Sequence, residues 1–154
     1  MKYLIFVFFY SVSMMSFAQS FDFNQYPAKP YTGKRAAIQF TPETYTFRTV
    51  FSALSKQPAN FAGHYAIDEV GCGGGCSRGM LYDLKTGKTQ FLPYRYLSQC
   101  YSEKHGFVDY TIEYQLNSRL LKVIGGEFQD PCLIRYYLEE NGKLKLISQQ
   151  NYWN

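Results

Sequence analysis

The chain of 154 residues has no cluster of Lys and Arg, no linker rich in Pro, Gly or Ser, and no low-complexity tract. Basic and acidic side chains alternate along it, and the formal net charge is only +4. A surface that binds nucleic acid needs clustered positive charge, so this pattern argues against nucleic acid as a partner. The length and the missing linker favour a single domain.

Long hydrophobic runs are absent except at the N-terminus. Lys2 precedes an apolar run over residues 3–10, and Ser16-Phe17-Ala18 places small residues where a signal peptidase cleaves. The run is too short to span a membrane, so the pattern predicts a signal peptide over residues 1–18. No cysteine lies near the cleavage site, which argues against a lipid anchor. We therefore expect export to the periplasm or the cell exterior, without a membrane span in the mature form.

The chain contains only four cysteines, which is an even number. Cys72, Cys76, Cys100 and Cys132 all follow the predicted cleavage site. Four cysteines in an exported protein predict two disulfides with three alternative pairings. Loop entropy favours the long-range pairings: joining Cys72 or Cys76 to Cys100 or Cys132 contributes roughly 3–4 kcal/mol per bridge, more than a Cys72–Cys76 bridge.

The N-terminal third predicts an arm followed by a helix. Residues 19–40 mix prolines and aromatics without a period, which is typical of an extended arm that packs on a domain over residues 41–154. Thr41-Pro42-Glu43 has the features of a helix start: a capping hydroxyl, a proline in the first turn and an acidic residue. Apolar residues then recur at helical spacing, which predicts a helix over residues 42–56.

The remaining chain predicts antiparallel strands. Apolar and polar residues alternate over residues 108–116, as in a half-buried strand. Lys85-Thr86-Gly87 and Glu140-Asn141-Gly142 lie between pairs of strand-like segments and predict hairpin turns. The expected fold is mainly β with one N-terminal α-helix, arranged as an antiparallel meander sheet or a small sandwich.

The two predicted hairpins resemble each other. Placing Gly87 on Gly142 (142 − 87 = 55) also aligns Tyr82 with Tyr137 and Lys88 with Lys143. The match indicates either a duplicated hairpin unit or a coincidence of turn residues. Two such units cannot close a propeller, so a sheet or sandwich covered by the helix stays the expected architecture.

Three motifs together resemble those of a known group of proteins. They are Asn60-Phe61-Ala62-Gly63-His64-Tyr65, Gly71-Cys72-Gly73-Gly74-Gly75-Cys76 and Asp83-Leu84-Lys85-Thr86-Gly87-Lys88. In this respect the chain is similar to a group of small exported bacterial proteins. The resemblance implies export, but the group has no assigned function and supplies no catalytic residues.

The glycine-cysteine loop has four interpretations. The first is structural: the glycines adopt positive φ angles while bridged cysteines hold a turn or bulge. The second is an anion-binding nest formed by the amides of Gly73, Gly74 and Gly75 with Arg78 nearby. The third is zinc held by Cys72 and Cys76 with His64 and His105, and the fourth is a thiol enzyme with His64 as base. Export favours oxidised cysteines and so argues against the last two, and we predict neither a metal nor another cofactor.

Two further elements are candidates for ligand binding. His64 is expected to be half-buried and hydrogen-bonded to a backbone carbonyl, with a ligand-facing position as the alternative. Tyr94-Arg95-Tyr96 follows a proline and has the composition of an interface anchor.

These observations favour a non-enzymatic, exported binding protein that recognises another protein or an envelope component. An inhibitor or immunity protein that acts on a secreted toxin or hydrolase is the most concrete form. One alternative is an enzyme or metal-dependent protein that uses His64, Cys72 and Cys76, and another is a structural envelope component. The sequence carries no recognisable catalytic constellation, which argues against an enzyme.

Overall fold

The computed structural model describes residues 21–127 and 131–153, so the predicted signal peptide lies outside the described residues. Within those ranges the chain forms two four-stranded antiparallel sheets, one two-stranded hairpin and a few short helices. The prediction of a mainly β fold is confirmed. No helix in the described ranges is long and apolar enough to cross a membrane.

The N-terminal arm runs across the domain as extended chain after a short 3-10 helix at Phe23–Gln25. Backbone hydrogen bonds attach it at several points, among them Tyr31 N to Gly63 O at 2.7 Å and Gln39 N to Gly87 O at 2.7 Å. Because these bonds reach two separate turns of the domain, the arm contributes to the positions of both turns.

Two short helices replace the continuous helix predicted over residues 42–56. Helix α1 spans Pro42–Tyr45 and helix α2 spans Arg48–Leu54. Thr41 caps α1 as predicted, with its hydroxyl accepting a hydrogen bond from Thr44 N at 3.1 Å. The Thr44 hydroxyl lies 2.7 Å from that of Thr89, which fixes the first turn to the sheet. Helix α2 begins at Arg48, and its apolar face packs on the sheet.

The first sheet contains β1 (Tyr65–Gly73), β2 (Cys76–Asp83), β3 (Thr89–Phe91) and β4 (Leu97–Ser98). Its order is β1-β2-β3, and β4 pairs with the start of β2. The last five residues of β2 are all buried because this central strand has both faces covered.

The small hairpin contains β5 (Cys100–Ser102) and β6 (Gly106–Val108). The second sheet follows, with strands β7 (Thr111–Tyr114), β8 (Leu120–Gly125), β9 (Leu133–Glu140) and β10 (Lys143–Asn151) in the order β10-β9-β8-β7. The strand predicted over residues 108–116 is thus divided between β6 and β7. Tyr110, in the break, packs against the core instead of pairing in a sheet.

Two apolar clusters arrange the elements in three layers. One cluster lies between the two sheets and contains Ile67 and Leu81 of the first sheet and Val123 of the second. The other lies on the opposite face of the first sheet and contains Met80 of β2 and Phe51 of α2. Successive residues of β2 therefore belong to different clusters, as the two-residue period of a strand requires.

The hairpin similarity seen in the sequence has a counterpart in strand pairing. Tyr65 pairs with Asp83 across β1 and β2, and Leu120 pairs with Leu138 across β8 and β9. The offset that aligns Gly87 with Gly142 relates one pair to the other. Strands β1-β2-β3 and β8-β9-β10 thus share their order and, in their first two strands, their register, while the third strands differ in register.

Both predicted disulfides are present, but the long-range pairing expected for Cys72 or Cys76 is wrong. Cys72 bonds to Cys76 and Cys100 bonds to Cys132, each with Cα atoms 5.4 Å apart. Loop entropy describes only the unfolded chain. In the folded chain, the β1–β2 hairpin already places Cys72 and Cys76 within disulfide reach.

Candidate functional site

A cavity of about 470 Å³ lies where the turn between β2 and β3 meets the turn between β9 and β10. We call it the hairpin cleft. Its volume is within the range of small-molecule sites, about 300–1,000 Å³. It is lined by His64, Tyr65, Asp83, Lys85, Thr86, Lys88, Gln90, Glu139, Asn141, Gly142 and Lys143.

The first turn is organised by Asp83, the last residue of β2. One carboxylate oxygen of Asp83 accepts a hydrogen bond from Lys85 N at 2.8 Å, and the other accepts one from Thr86 Oγ1 at 2.6 Å. Gly87 then adopts a φ of 79°, which reverses the chain. Hydrogen bonds within the Asp-x-x-Thr-Gly-Lys motif therefore stabilise its own turn. This turn places Lys85 and Lys88 at the cleft.

The second turn is organised by Glu139 of β9. Glu139 Oε1 accepts hydrogen bonds from Gly142 N at 2.9 Å and from Tyr65 Oη at 3.2 Å. The second bond comes from the first sheet, so a single carboxylate oxygen connects both sheets and the β9–β10 turn. Burial and the Glu139 charge raise the pKa of Tyr65, which keeps the phenol protonated as the donor.

His64 forms part of the cleft floor. Its Nδ1 lies 2.9 Å from the carbonyl oxygen of Ala62, and since a carbonyl only accepts, we assign the proton of the neutral ring to Nδ1. The other ring nitrogen, Nε2, lies 3.7 Å from Asp83 Oδ1. Burial lowers the pKa of His64, and this effect outweighs the opposing influence of the Asp83 charge.

Acceptor atoms therefore face each other on the cleft floor. The neutral His64 ring presents a lone pair at Nε2, and Asp83 presents a carboxylate oxygen. Neither atom supplies a hydrogen, so a ligand would satisfy both by offering one O–H or N–H donor to each.

Lysines surround this floor. Lys85, Lys88 and Lys143 are exposed, and no carboxylate of the described residues lies within 4.0 Å of their ammonium groups. Lys85 lies 5.6 Å from the ring centre of Tyr31 in the arm. The cleft thus combines an acceptor floor with a cationic rim.

A second cavity of about 270 Å³ adjoins the hairpin cleft. It is lined by Gln90, Phe91, Pro93, Lys143 and Leu144. Two of these residues, Gln90 and Lys143, also line the hairpin cleft, so the two cavities are neighbours beside β3 and β10.

The predicted site residues are distributed over separate parts of the molecule. His64 is half-buried with the expected carbonyl partner, and it also lines a cavity, as a ligand-facing position would require. The glycine-cysteine loop lies at the far end of β1, away from His64. Gly73, Gly74 and Gly75 are exposed with φ angles of 85°, 59° and 79°, as the structural interpretation requires.

Arg78 is engaged away from those glycines. Its guanidinium lies 3.4 Å from the ring centre of Phe91 and forms an ion pair with Glu43 of α1. The side chain therefore attaches the first helix to the sheet, and this position does not provide the cation expected for an anion nest.

The prediction that Tyr94-Arg95-Tyr96 forms a surface anchor is wrong for Tyr94. Tyr94 is only 5% exposed and belongs to the cluster between the sheets, because the chain after Pro93 turns its ring inward. Arg95 is exposed and lies over the ring of Tyr96 at 5.6 Å. Neither Arg95 nor Tyr96 lines the cavities described above.

The thiol and zinc alternatives conflict with the disulfides. Cys72 and Cys76 are bonded to each other and supply no thiolate. His105, the other proposed zinc ligand, stacks on Trp153 with ring centres 4.9 Å apart. Among residues 21–127 and 131–153, no group of three or more metal-ligating side chains is suited to a metal ion.

Sequence reasoning missed the residues that complete the cleft, above all Asp83, Glu139 and Lys143. The hairpin alignment contains a signal for Lys143 alone, because it places Lys143 on Lys88 and both lysines line the cleft.

Comparison of the chain with protein-family models, with curated proteins and with solved structures found no match.

Proposed function

We propose that the chain is an exported, non-enzymatic binding protein and that its recognition site is the hairpin cleft. The observation that carries this proposal is the convergence of two turns, from different sheets, on one cavity with a fixed polar floor and a rim of lysines that form no ion pair with the described part of the chain. A cavity with a few convergent polar groups is the usual form of a ligand site. The partner is another protein or an envelope component that inserts a polar group into the cleft.

The hydrogen bonds of the floor favour binding over catalysis. Both oxygens of Asp83 accept bonds from the first turn, and Glu139 Oε1 accepts two. These carboxylates hold the turns in place. The hydroxyl of Thr86 donates to Asp83 and not to His64, so it is not arranged as an activated nucleophile. A rigid, preformed floor reduces the entropy cost of binding.

The proposal is tested by capturing partners from envelope extracts of the source cells on the immobilised exported protein. The cleft variant carries Lys88→Glu and Lys143→Glu. The control variant carries Lys56→Glu and Lys104→Glu, two exposed lysines that do not line the cleft, and has the same net charge. Bound material is quantified by mass spectrometry.

We expect a partner that is retained by the wild type and the control variant and lost from the cleft variant. Equal retention on all three proteins would contradict the proposal. A partner that is lost only when Arg95 and Tyr96 are replaced by Ala would move recognition to the exposed part of the Tyr94-Arg95-Tyr96 segment.

A further inference from the structure

We infer that the hairpin cleft binds a sugar unit that carries a carboxylate or phosphate group. This inference rests on the function proposed above and adds the chemical class of the ligand. It depends on the lysines of the rim, the acceptors of the floor and the second cavity that adjoins the cleft.

The rim selects for an anion. Lys88 follows Gly87 in one turn and Lys143 follows Gly142 in the other, so equivalent positions of the two similar hairpins each bring a cation to the cleft. No carboxylate of the described residues neutralises either lysine within 4.0 Å. An anionic group between the two turns would pair with both lysines, and such charge-assisted bonds are stronger than neutral ones.

The floor selects for hydroxyl groups. His64 Nε2 and Asp83 Oδ1 both accept hydrogen bonds, while the side chains of Gln90 and Asn141 can donate and accept. A sugar hydroxyl also donates and accepts, and a ring with neighbouring hydroxyls can reach several such groups. An acidic peptide is the competing ligand, because β3 and β10 are edge strands of their sheets and the cleft carries lysines, and the triaspartate probe below tests it.

The second cavity indicates space for more than one unit. It shares Gln90 and Lys143 with the hairpin cleft, and its other side chains are Phe91, Pro93 and Leu144. Apolar side chains next to a polar subsite suit the C–H face of a neighbouring sugar ring. The ligand could therefore be a free sugar acid or the acidic end of an envelope glycan.

The experiment is a titration of the exported protein with small-molecule probes, and binding is monitored through the backbone amide signals in NMR spectra. The probes are glucuronate, glucose 6-phosphate, glucose, digalacturonate and a triaspartate peptide. We expect glucuronate or glucose 6-phosphate to shift the amide signals of residues 85–88 and 141–143, and glucose to bind at least roughly tenfold more weakly. The stronger of the two anionic probes identifies carboxylate or phosphate. Tighter binding of digalacturonate than of glucuronate would indicate the end of a glycan rather than a free sugar acid.

Matched variants test whether the lysines of the rim account for the affinity of the anionic probe. Lys88→Met with Lys143→Met should weaken binding of the anionic probe roughly tenfold, whereas Lys56→Met with Lys104→Met should leave it within about twofold. A similar loss in both variants would overturn a specific role for the rim.

Other outcomes separate this inference from the proposed function. If glucose binds as tightly as glucuronate, or triaspartate binds more tightly than either anionic sugar, the ligand class is wrong. If no probe shifts the cleft amides but a captured partner still depends on the cleft lysines, the ligand class is wrong and the proposed function stands. If no partner and no probe depends on the cleft, both are wrong.

Discussion

Tyr65 Oη donates a hydrogen bond of 3.2 Å to Glu139 Oε1, and this bond joins the first residue of β1 to the end of β9. Tyr65 is 2% exposed and Glu139 is 7% exposed. The same carboxylate oxygen holds the β9–β10 turn through Gly142 N. The position of one sheet relative to the other at the cleft therefore depends on a buried phenol–carboxylate pair.

Removal of this phenol should destabilise the protein. The substitution Tyr65→Phe keeps the ring in the core but leaves Glu139 with one donor fewer. Hydrogen bonds to charged groups contribute about 1.5–3 kcal/mol, so we expect the free energy of unfolding to fall by about 2 kcal/mol. Urea denaturation followed by circular dichroism measures it. A loss below about 0.5 kcal/mol would mean that water replaces the phenol at this carboxylate.

The phenol of Tyr94, unlike that of Tyr65, is buried without a partner among the described residues. Its hydroxyl is buried between the sheets, and no hydrogen-bond partner for it lies among the described residues. Burial also raises the pKa of Tyr94, so the phenol stays neutral. An unsatisfied buried hydroxyl costs about 1–3 kcal/mol. We expect Tyr94→Phe to raise the free energy of unfolding by about 1 kcal/mol in the same urea assay, and a decrease would show that the hydroxyl is hydrogen-bonded in solution.

The two disulfides should contribute unequally. In the loop-entropy model, the sequence separation of 32 between Cys100 and Cys132 corresponds to about 4 kcal/mol, and the separation of 4 between Cys72 and Cys76 to about 2 kcal/mol. We therefore expect the double Ala variant of Cys100 and Cys132 to lose about twice as much free energy of unfolding as that of Cys72 and Cys76. Denaturation of the oxidised proteins compares them. The reverse order would show that the hairpin bridge contributes through native packing.

Local patterns in the sequence predicted much of the fold. Alternating apolar residues and Gly-containing turns predicted both hairpins, and Thr41-Pro42-Glu43 predicted the start of the first helix. The length of that helix was wrong, since the chain leaves the helix at residues 46–47, and the contact that fixes its first turn, Thr44 with Thr89, is a tertiary interaction. Spacing along the chain contains no information about such a contact.

The cleft could be predicted only in part for the same reason. His64 was identified from its motif, but its partner Asp83 comes from another strand, and Glu139 comes from the other sheet. For Tyr94 the sequence predicted a binding role that burial excludes. An Arg between two aromatics resembles an interface, and only the packing of the sheets shows that the first ring is buried.

Gly87 should be far less tolerant of substitution than Gly74. Both have a positive φ, but a Cβ at position 87 would collide with the carbonyl oxygen of Ala37 in the arm, whereas one at position 74 would meet nothing within 4 Å. The left-handed conformation alone costs a non-glycine residue about 1–2 kcal/mol. We expect Gly74→Ala to lose about 1 kcal/mol of unfolding free energy and Gly87→Ala at least about 3 kcal/mol. Similar losses would mean that the arm moves aside at this turn.

The pH dependence of stability should depend on His64. Burial lowers the pKa of His64, although the charges of Asp83 and Glu139 act in the opposite direction and Lys85 acts in the same direction as burial. In the unfolded chain a histidine titrates near pH 6.5. Below that pH the unfolded state binds a proton that the folded state resists, so the free energy of unfolding is lost as the pH falls through about 6.5 toward the lower folded pKa.

The substitution His64→Gln should reduce this loss, because an amide can retain a bond to the Ala62 carbonyl and does not titrate. The measurement is the free energy of unfolding from urea denaturation between about pH 7.5 and pH 5. His105→Gln, at an exposed position outside the cleft, is the control for removal of a histidine. If His64→Gln and the wild type lose the same free energy over this interval, protonation of His64 is not coupled to folding. The neutral Nε2 acceptor assigned to the cleft floor would then lose its support.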